Sequence, residues 1–394
     1  MSMSEPARHA ARLARPGRIL IRGVNWLGDA VMATPALQRL HEAFPGAELT
    51  WFGPAHLSEL WRGHPHVRHV IGFERGWSVW KAARRLRDGA FDLAVILPNS
   101  PRSALEVFLA GVPERVGYRR PGRTWLLTCP VPQRANEVRM RKRGSREVRR
   151  LARQGRTSRP GPPTSWPPRA HHIYQYLHLV AAVGADPAPV TPRLFVSEDE
   201  KQAACNKFDL PLDPAEAPPV LGLHPGAAYG PAKQWPWERF AEAAWRVQRE
   251  TGGPVLVFGS AADRPLVERI VEWTQSQRPR RPSADGPALR SLAGQTTLRE
   301  LMALLAVCRV VLSNDSGPMH VAAAVGARTV VPFGSTSPGL TGPGLPGDQR
   351  HRLLQSQAPC APCFRRTCPI DLRCLREISV DAVVAAVLEA CRAG

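Results

Sequence analysis

The sequence predicts an α/β protein of two domains, each a parallel sheet flanked by helices. Three observations carry that expectation. Short apolar runs alternate with amphipathic stretches over residues 18 to about 120, and the same rhythm returns in the second half. Several of the runs end in glycine-containing turns that open directly into a helix. At 394 residues the chain is too long for one ordinary core and suits two.

Taken in order, strands are predicted at Arg18–Arg22, Glu48–Phe52, Val67–Phe73 and Phe91–Leu97, with helices at Asp29–Phe44, Trp77–Asp88 and Ser103–Leu109. Pro35 falls inside the first helix and should bend it or mark a late start. From Gln133 to Ala170 the composition changes. Arg139 to Arg150 is dense in positive charge and 160–168 is rich in proline, which reads as a mobile basic loop with at most a short helix. A helix follows at His172–Val183, then a proline-containing linker over Ala185–Pro192. The second half places strands at Val220–Leu223, Pro254–Gly259, Val310–Asn314 and Arg328–Phe333. Its helices fall at Trp237–Thr251, Asp263–Trp273, Leu298–Val307 and Gly317–Val325. A last helix, Val380–Arg392, packs back onto the body. The domain expectation is therefore 17–190, with 133–170 as a basic insertion, and 196–394.

The balance of 53 Lys+Arg against 33 Asp+Glu gives +20, which points to an anionic partner: nucleic acid, an acidic membrane surface or a phosphorylated substrate. A hydrophobic content of 43% belongs to a globular chain. No apolar stretch approaches the roughly 20 residues that span a bilayer, and residues 1–16 do not form a secretory signal. The expectation is a cytoplasmic chain whose eight cysteines are reduced.

Chemistry concentrates at strand ends. Arg22-Gly-Val-Asn-Trp-Leu-Gly-Asp29 follows the first strand, so Asp29 stands at the carboxyl edge of the sheet, where open α/β sheets hold ligands. Two readings fit: a catalytic base or ligand contact, and a cap of its own helix. Ser313-Asn-Asp-Ser-Gly-Pro-Met-His320 opens another helix, with Pro318 in the first turn. The amides near Gly317, the Ser316 hydroxyl and His320 suit a phosphate, and a plain capped helix fits equally. The loop from His224 to Trp235 lets backbone at Ala227 approach a ligand, and its Lys233 is a compact cation of the kind that pairs with phosphate. Asp263, after Gly259, suits ribose hydroxyls or an N-cap, and Thr296 suits the same two roles more weakly. None of these loops matches the Walker or GxGxxG spacing.

Together the motifs form a pattern. Asn25-Trp-Leu-Gly-Asp29 with Thr34-Pro35, His224-Pro-Gly with Lys233-Gln-Trp235, Asn314-Asp-Ser-Gly-Pro-Met-His320 and Phe333-Gly-Ser-Thr-Ser-Pro338 resemble the bacterial lipopolysaccharide heptosyltransferases of glycosyltransferase family 9. The resemblance covers the chain apart from residues 1–16 and 133–170. It implies a GT-B fold, two Rossmann-like domains with parallel sheets facing across a central cleft. The acceptor would bind the N-terminal domain and the nucleotide-sugar the C-terminal one. It also implies inverting, metal-independent transfer from ADP-L-glycero-D-manno-heptose to a lipid A-linked core oligosaccharide. The family's base falls on Asp29. Its donor-binding residues fall on Lys233, Asp315, Ser316, Gly317 and His320, with Ala227, Asp263 and Thr296 beside them. No cofactor is implied, and no nucleic-acid partner.

Cys360, Cys363, Cys368 and Cys374 are similar to a cysteine-rich segment near the C-terminus of heptosyltransferase II. Four thiols so close also allow a zinc site, although the middle gap is short for one. The arginine-rich segment departs from the family. A peripheral contact with the inner membrane and a solvated loop both fit it. Other activities left open are heptosyltransferase I or III, another GT-B sugar-nucleotide enzyme, and a basic nucleic-acid-binding protein. The last lacks any recognised nucleic-acid motif.

Overall fold

The computed structural model describes residues 16–135, 137–153, 166–167, 169–210, 218–277 and 289–393. The chain divides into two compact units, one of Met1–Glu137 and Pro168–Phe195, the other of Val138–Pro167 and Val196–Gly394.

The first unit is built on six strands: β1 (Arg18–Arg22), β2 (Glu48–Pro54), β3 (His69–Phe73), β4 (Leu93–Ile96), β5 (Glu114–Tyr118) and β6 (Cys129–Val131). They pair in parallel in the order β3-β2-β1-β4-β5-β6, with Ile19 opposite Leu49 on one side and Leu93 on the other. This is the doubly wound order, which reverses between β1 and β4. Ile19, Leu20 and Ile21 are fully buried, as strands covered on both faces require. The expected first helix is two: Leu27–Met32 and Thr34–Ala43, broken at Ala33 because Pro35 sits in the first turn of the second.

The second unit repeats the plan with β7 (Leu221–His224), β8 (Val255–Val257), β9 (Leu289–Ser291), β10 (Val310–Ser313), β11 (Arg328–Phe333) and β12 (His351–Gln355). The order is β12-β11-β10-β7-β8-β9, again all parallel, with its reversal between β7 and β10. Helix Val380–Arg392 lies where the periodicity placed it and buries Val383, Val384 and Val387 in this unit's core.

The basic segment corrects one expectation. Its described part belongs with the second unit, not the first. Residues Ser145–Arg153 form a helix that puts Val148 into the second unit's core and leaves its arginines outside. The Arg143 N–H donates to the Cys363 carbonyl at 3.0 Å, and Arg373 Nη1 donates to the Ala152 carbonyl at 2.8 Å. An amphipathic helix has an apolar stripe to bury, and this one uses it. Residues 154–165 of the expected loop lie outside the described residues. Among the described residues no helix is long and apolar enough to cross a membrane.

Candidate active site

Both candidate sites stand at a switch point, where loops leave two neighbouring strands in opposite directions. In the first unit β1 ends in Arg22, whose guanidinium is buried against Glu106 at 2.9 Å and over the Phe52 and Phe73 rings. Its Nη1 donates to the Gly23 carbonyl at 2.6 Å, which fixes the turn at its first residue. Glycine is required next, because a Cβ on Gly23 would lie 2.0 Å from the Trp51 ring. The chain then enters helix Leu27–Met32 with Trp26 at the N-cap position and Asp29 in the first turn.

Asp29 lines a pocket of about 310 Å³, near the lower end of the roughly 300–1,000 Å³ usual for small-molecule sites. Val24, Asn25 and Trp26 line it from the β1 loop, Leu97, Pro98 and Asn99 from the β4 loop, and Gln175 and Tyr176 from helix Ile173–Ala181, with His172 at its N-cap. Burial, reinforced by the Asp29 charge, pushes the Tyr176 hydroxyl well above its ordinary pKa. It is a protonated donor at neutral pH. The Asn99 Oδ1 is buried with no hydrogen-bond partner. Such a pocket offers a carboxylate, a hydroxyl and an amide to a polar, hydroxyl-rich molecule.

In the second unit the loops after β7, β10 and β11 are tied together. The Asn314 side chain accepts from Trp235 N at 2.9 Å and donates to the Pro225 carbonyl at 2.6 Å. That pair of bonds sets the 225–235 loop against the end of β10. Asp315 is buried, and its Oδ2 takes Lys233 Nζ at 2.7 Å and the Thr336 hydroxyl. Lys233 Nζ also lies 4.9 Å from the Tyr229 ring centroid. The phosphate-type lysine is thus held in place by a carboxylate rather than left in solvent. Ser316 is the N-cap residue of helix Gly317–Ala324, yet its side chain makes no capping bond. Its Oγ is buried without a hydrogen-bond partner. A buried hydroxyl left unsatisfied at a helix start, beside amides and a cation, has the makings of an anion site. His320 is buried within the same helix, and Ala227 is buried in the loop opposite, where its carbonyl accepts from Gly230 N. Burial pushes the His224 imidazole at the end of β7 below its ordinary pKa, so it is neutral.

Two assignments change. The cap of helix Leu298–Val307 is Thr297, which shares a capping box with Glu300, so Thr296 is not the cap. Asp263 is engaged in its own turn, its Oδ2 accepting from Ser260 N at 2.9 Å and Ser260 Oγ at 2.6 Å. It also packs where a Gly226 Cβ would be, 2.9 Å away, so Gly226 is what admits the acid to that strand end. Tyr176 and Asn99 carried no signal for these roles in the sequence, and Tyr229 lay unremarked in the His224–Trp235 loop. Asn314 and Thr336 lay within quoted motifs but only the fold shows what they hold.

All eight cysteines are free, and Cys360, Cys363 and Cys374 pack in the second unit's core. Burial raises the Cys360 and Cys363 thiols and pushes Cys374 up to about 12, so these side chains are neutral packing groups. Among the described residues no group of three or more His, Cys, Asp or Glu side chains is arranged to hold a metal ion.

A doubly wound unit with an acidic polar pocket, followed by a doubly wound unit with a cation and an open helix start, has the parts of a GT-B glycosyltransferase. Comparison with known proteins narrows this. Residues 162–373 match the model of glycosyltransferase family 9 (heptosyltransferase). The chain is 32% identical over 339 residues to lipopolysaccharide heptosyltransferase 2 of Escherichia coli K12, covering 83% of this chain and 85% of that protein. It is 30% identical over 335 residues to lipooligosaccharide heptosyltransferase 2 of Haemophilus influenzae, covering 82% and 85%. The solved structure of the E. coli ADP-heptose lps heptosyltransferase II superposes with a TM-score of 0.71 at 28% identity, over 95% of this chain and 98% of that one. The chain belongs to glycosyltransferase family 9, the heptosyltransferases. It is an enzyme that transfers a sugar.

Proposed function

We propose that the protein moves L-glycero-D-manno-heptose from ADP-heptose to an acceptor heptose in the lipid A-linked inner core of lipopolysaccharide, as a type 2 heptosyltransferase with inversion. The observation that carries this reading is the complementary chemistry of the two switch points. One presents a carboxylate in a polar pocket, the other a cation near a helix start with no side-chain cap. The acceptor sugar fits the first and the ADP diphosphate the second. The similarity to type 2 enzymes of E. coli and H. influenzae supports the particular sugar and acceptor.

The reaction is a single displacement. Asp29 takes the proton from the acceptor hydroxyl as that oxygen bonds to the anomeric carbon. The bond from that carbon to the β-phosphate oxygen breaks on the opposite face, and its electron pair leaves with ADP. Tyr176, protonated, hydrogen-bonds within the acceptor pocket and holds the hydroxyl toward Asp29. Lys233, the Ser316 hydroxyl and the amides after it meet the charge that grows on the diphosphate. Asp315 and Thr336 fix the ammonium group in place before substrate arrives. The acceptor is anchored to a lipid, so the enzyme works on the cytoplasmic face of the inner membrane as a peripheral protein.

The test is product analysis with ADP-heptose and two defined acceptors, one ending in Kdo and one ending in a single heptose. Addition of one heptose to the second acceptor, with release of ADP, supports the proposal. Transfer only to the Kdo-terminated acceptor would reassign the enzyme to type I, and no transfer to either would remove the proposal.

A further inference from the structure

The first unit carries a feature that neither its sheet nor its pocket uses. Helices Val79–Arg87 and Pro101–Leu109 lie side by side on one face of the sheet. Ala82, Ala83 and Leu86 of one and Ala104 and Val107 of the other enter a common core with Leu20 and Ile96. Arg87 Nη2 donates to the Leu109 carbonyl at 3.0 Å, and Arg102 donates to the Trp77 carbonyl, so the helices run alongside each other at both ends. Their outer surfaces form one layer. On that layer Trp80 is 71% exposed, and Trp125, from the short turn Thr124–Leu126, is 70% exposed. Phe108, near the end of the second helix, is also exposed and meets the Trp125 ring at 5.9 Å.

The charge around these rings is mainly positive. Helix Val79–Arg87 contains Lys81, Arg84, Arg85 and Arg87, all exposed, and no acid. The one carboxylate of Pro101–Leu109, Glu106, is buried between Arg22 and Arg102. Asp88, just past the first helix, is the acid that remains at its end. Large amphipathic rings set among cations suit the boundary between lipid headgroups and acyl chains: indoles enter the headgroup layer and long basic side chains reach phosphates.

We infer that this face of the first unit, centred on Trp80, Phe108 and Trp125 with Arg84 and Arg85, docks the enzyme on an anionic bilayer surface. It rests on the reading that the acceptor is lipid-borne, and gives that reading a surface. It also moves the membrane contact away from the basic segment, whose described helix is spent in part on packing against the second unit.

The experiment uses the full chain and three variants: W80A/W125A, R84E/R85E, and R149E/R150E in the basic segment. Binding is measured by sedimentation with vesicles of phosphatidylethanolamine and phosphatidylglycerol, with phosphatidylcholine vesicles for comparison. The expected result is binding to the anionic vesicles that weakens with salt. It should fall about tenfold per tryptophan removed and at least about fivefold per arginine reversed to glutamate, the latter more at low salt. R149E/R150E should retain it. Turnover on a delipidated, water-soluble acceptor should be unchanged in the first two variants, which touch neither substrate pocket. The proposal falls if W80A/W125A binds vesicles like wild type, or if R149E/R150E alone abolishes binding. It falls also if sedimentation velocity shows a dimer that W80A/W125A dissolves, because the face then joins two copies. Wild type that binds vesicles but transfers no heptose to the soluble acceptor would sink the activity and leave this surface standing.

Discussion

Replacing Lys233 by methionine separates what that residue does for the fold from what it does for chemistry. Its ammonium group and the Asp315 carboxylate lie 2.7 Å apart, with side chains 13% and 4% exposed. Removing one member of such a buried pair leaves the other charged and uncompensated, at a cost of about 3–5 kcal/mol. The Thr336 hydroxyl still donates to Asp315, which holds the loss near the lower figure. For a unit of this size each kcal/mol lowers the midpoint by about 2–4 °C, so K233M should unfold roughly 6–12 °C below wild type. The double variant K233M/D315N has no stranded charge and should recover most of that drop. Turnover should behave differently. A cation aimed at a developing phosphate charge is worth about 10²–10³ in rate, and asparagine at 315 does nothing to restore it. Thermal unfolding and steady-state ADP release on the same three proteins decide the matter. K233M as stable as wild type would refute the buried pair. A double variant with restored turnover would show that Lys233 serves only as the counter-ion of Asp315.

Three further outcomes follow from local features. Ser316→Ala removes a buried hydroxyl with no partner, so stability should hold or rise slightly while ADP affinity falls roughly fivefold, as read by calorimetry. Unchanged ADP affinity would take Ser316 out of the donor site. Thr297→Ala should cost about 1 kcal/mol through its lost cap, and Thr296→Ala much less; equal thermal shifts would contradict the capping assignment. Burial, the dominant cause in each, holds His64 at about 3 and His351 at about 4, both below the unfolded value near 6.5. The unfolded chain therefore binds more protons below pH 6.5. Stability contributed by these neutral imidazoles is complete above that pH and is lost as pH falls toward 4 and then 3, by about 2 kcal/mol each at pH 5. A denaturant midpoint that is flat from pH 7.5 to 5 would contradict this.

The fold was readable where burial leaves a mark. β1 and β11 lie at the sequence-derived positions because strands inside a doubly covered sheet are continuous apolar runs. The strands that the pattern does not show are β5, β6, β9 and β12. Three of them are sheet edges, and Cys129–Val131 and Leu289–Ser291 are three residues each. Edge strands are kept short and polar, which removes the signal that finds the others. Helix Glu198–Lys207 was invisible for a related reason, being polar on nearly every face and held by the Arg299–Glu200 ion pair.

The site was legible at strand ends, where a turn, a carboxylate and a helix start follow one another in sequence. Asp29, Ser316 and Gly317 are of that kind. Tyr176 is not: it reaches the Asp29 pocket on a helix far along the chain, and nothing local marks it. Thr336 follows β11 whereas Lys233 follows β7, and only the adjacency of β10 and β11 brings Thr336 to Asp315. The basic segment misled because charge density masked the spacing of Val148 and Ala152, two buried positions on an otherwise cationic helix.

Asp29→Asn tests the central claim most directly. The substitution keeps the side chain's size and removes its capacity to take a proton. Measured with ADP-heptose and the heptose-terminated acceptor, kcat should fall about 10²–10⁴-fold while calorimetric ADP affinity stays at the wild-type value. Near-normal turnover in the asparagine variant would contradict the account.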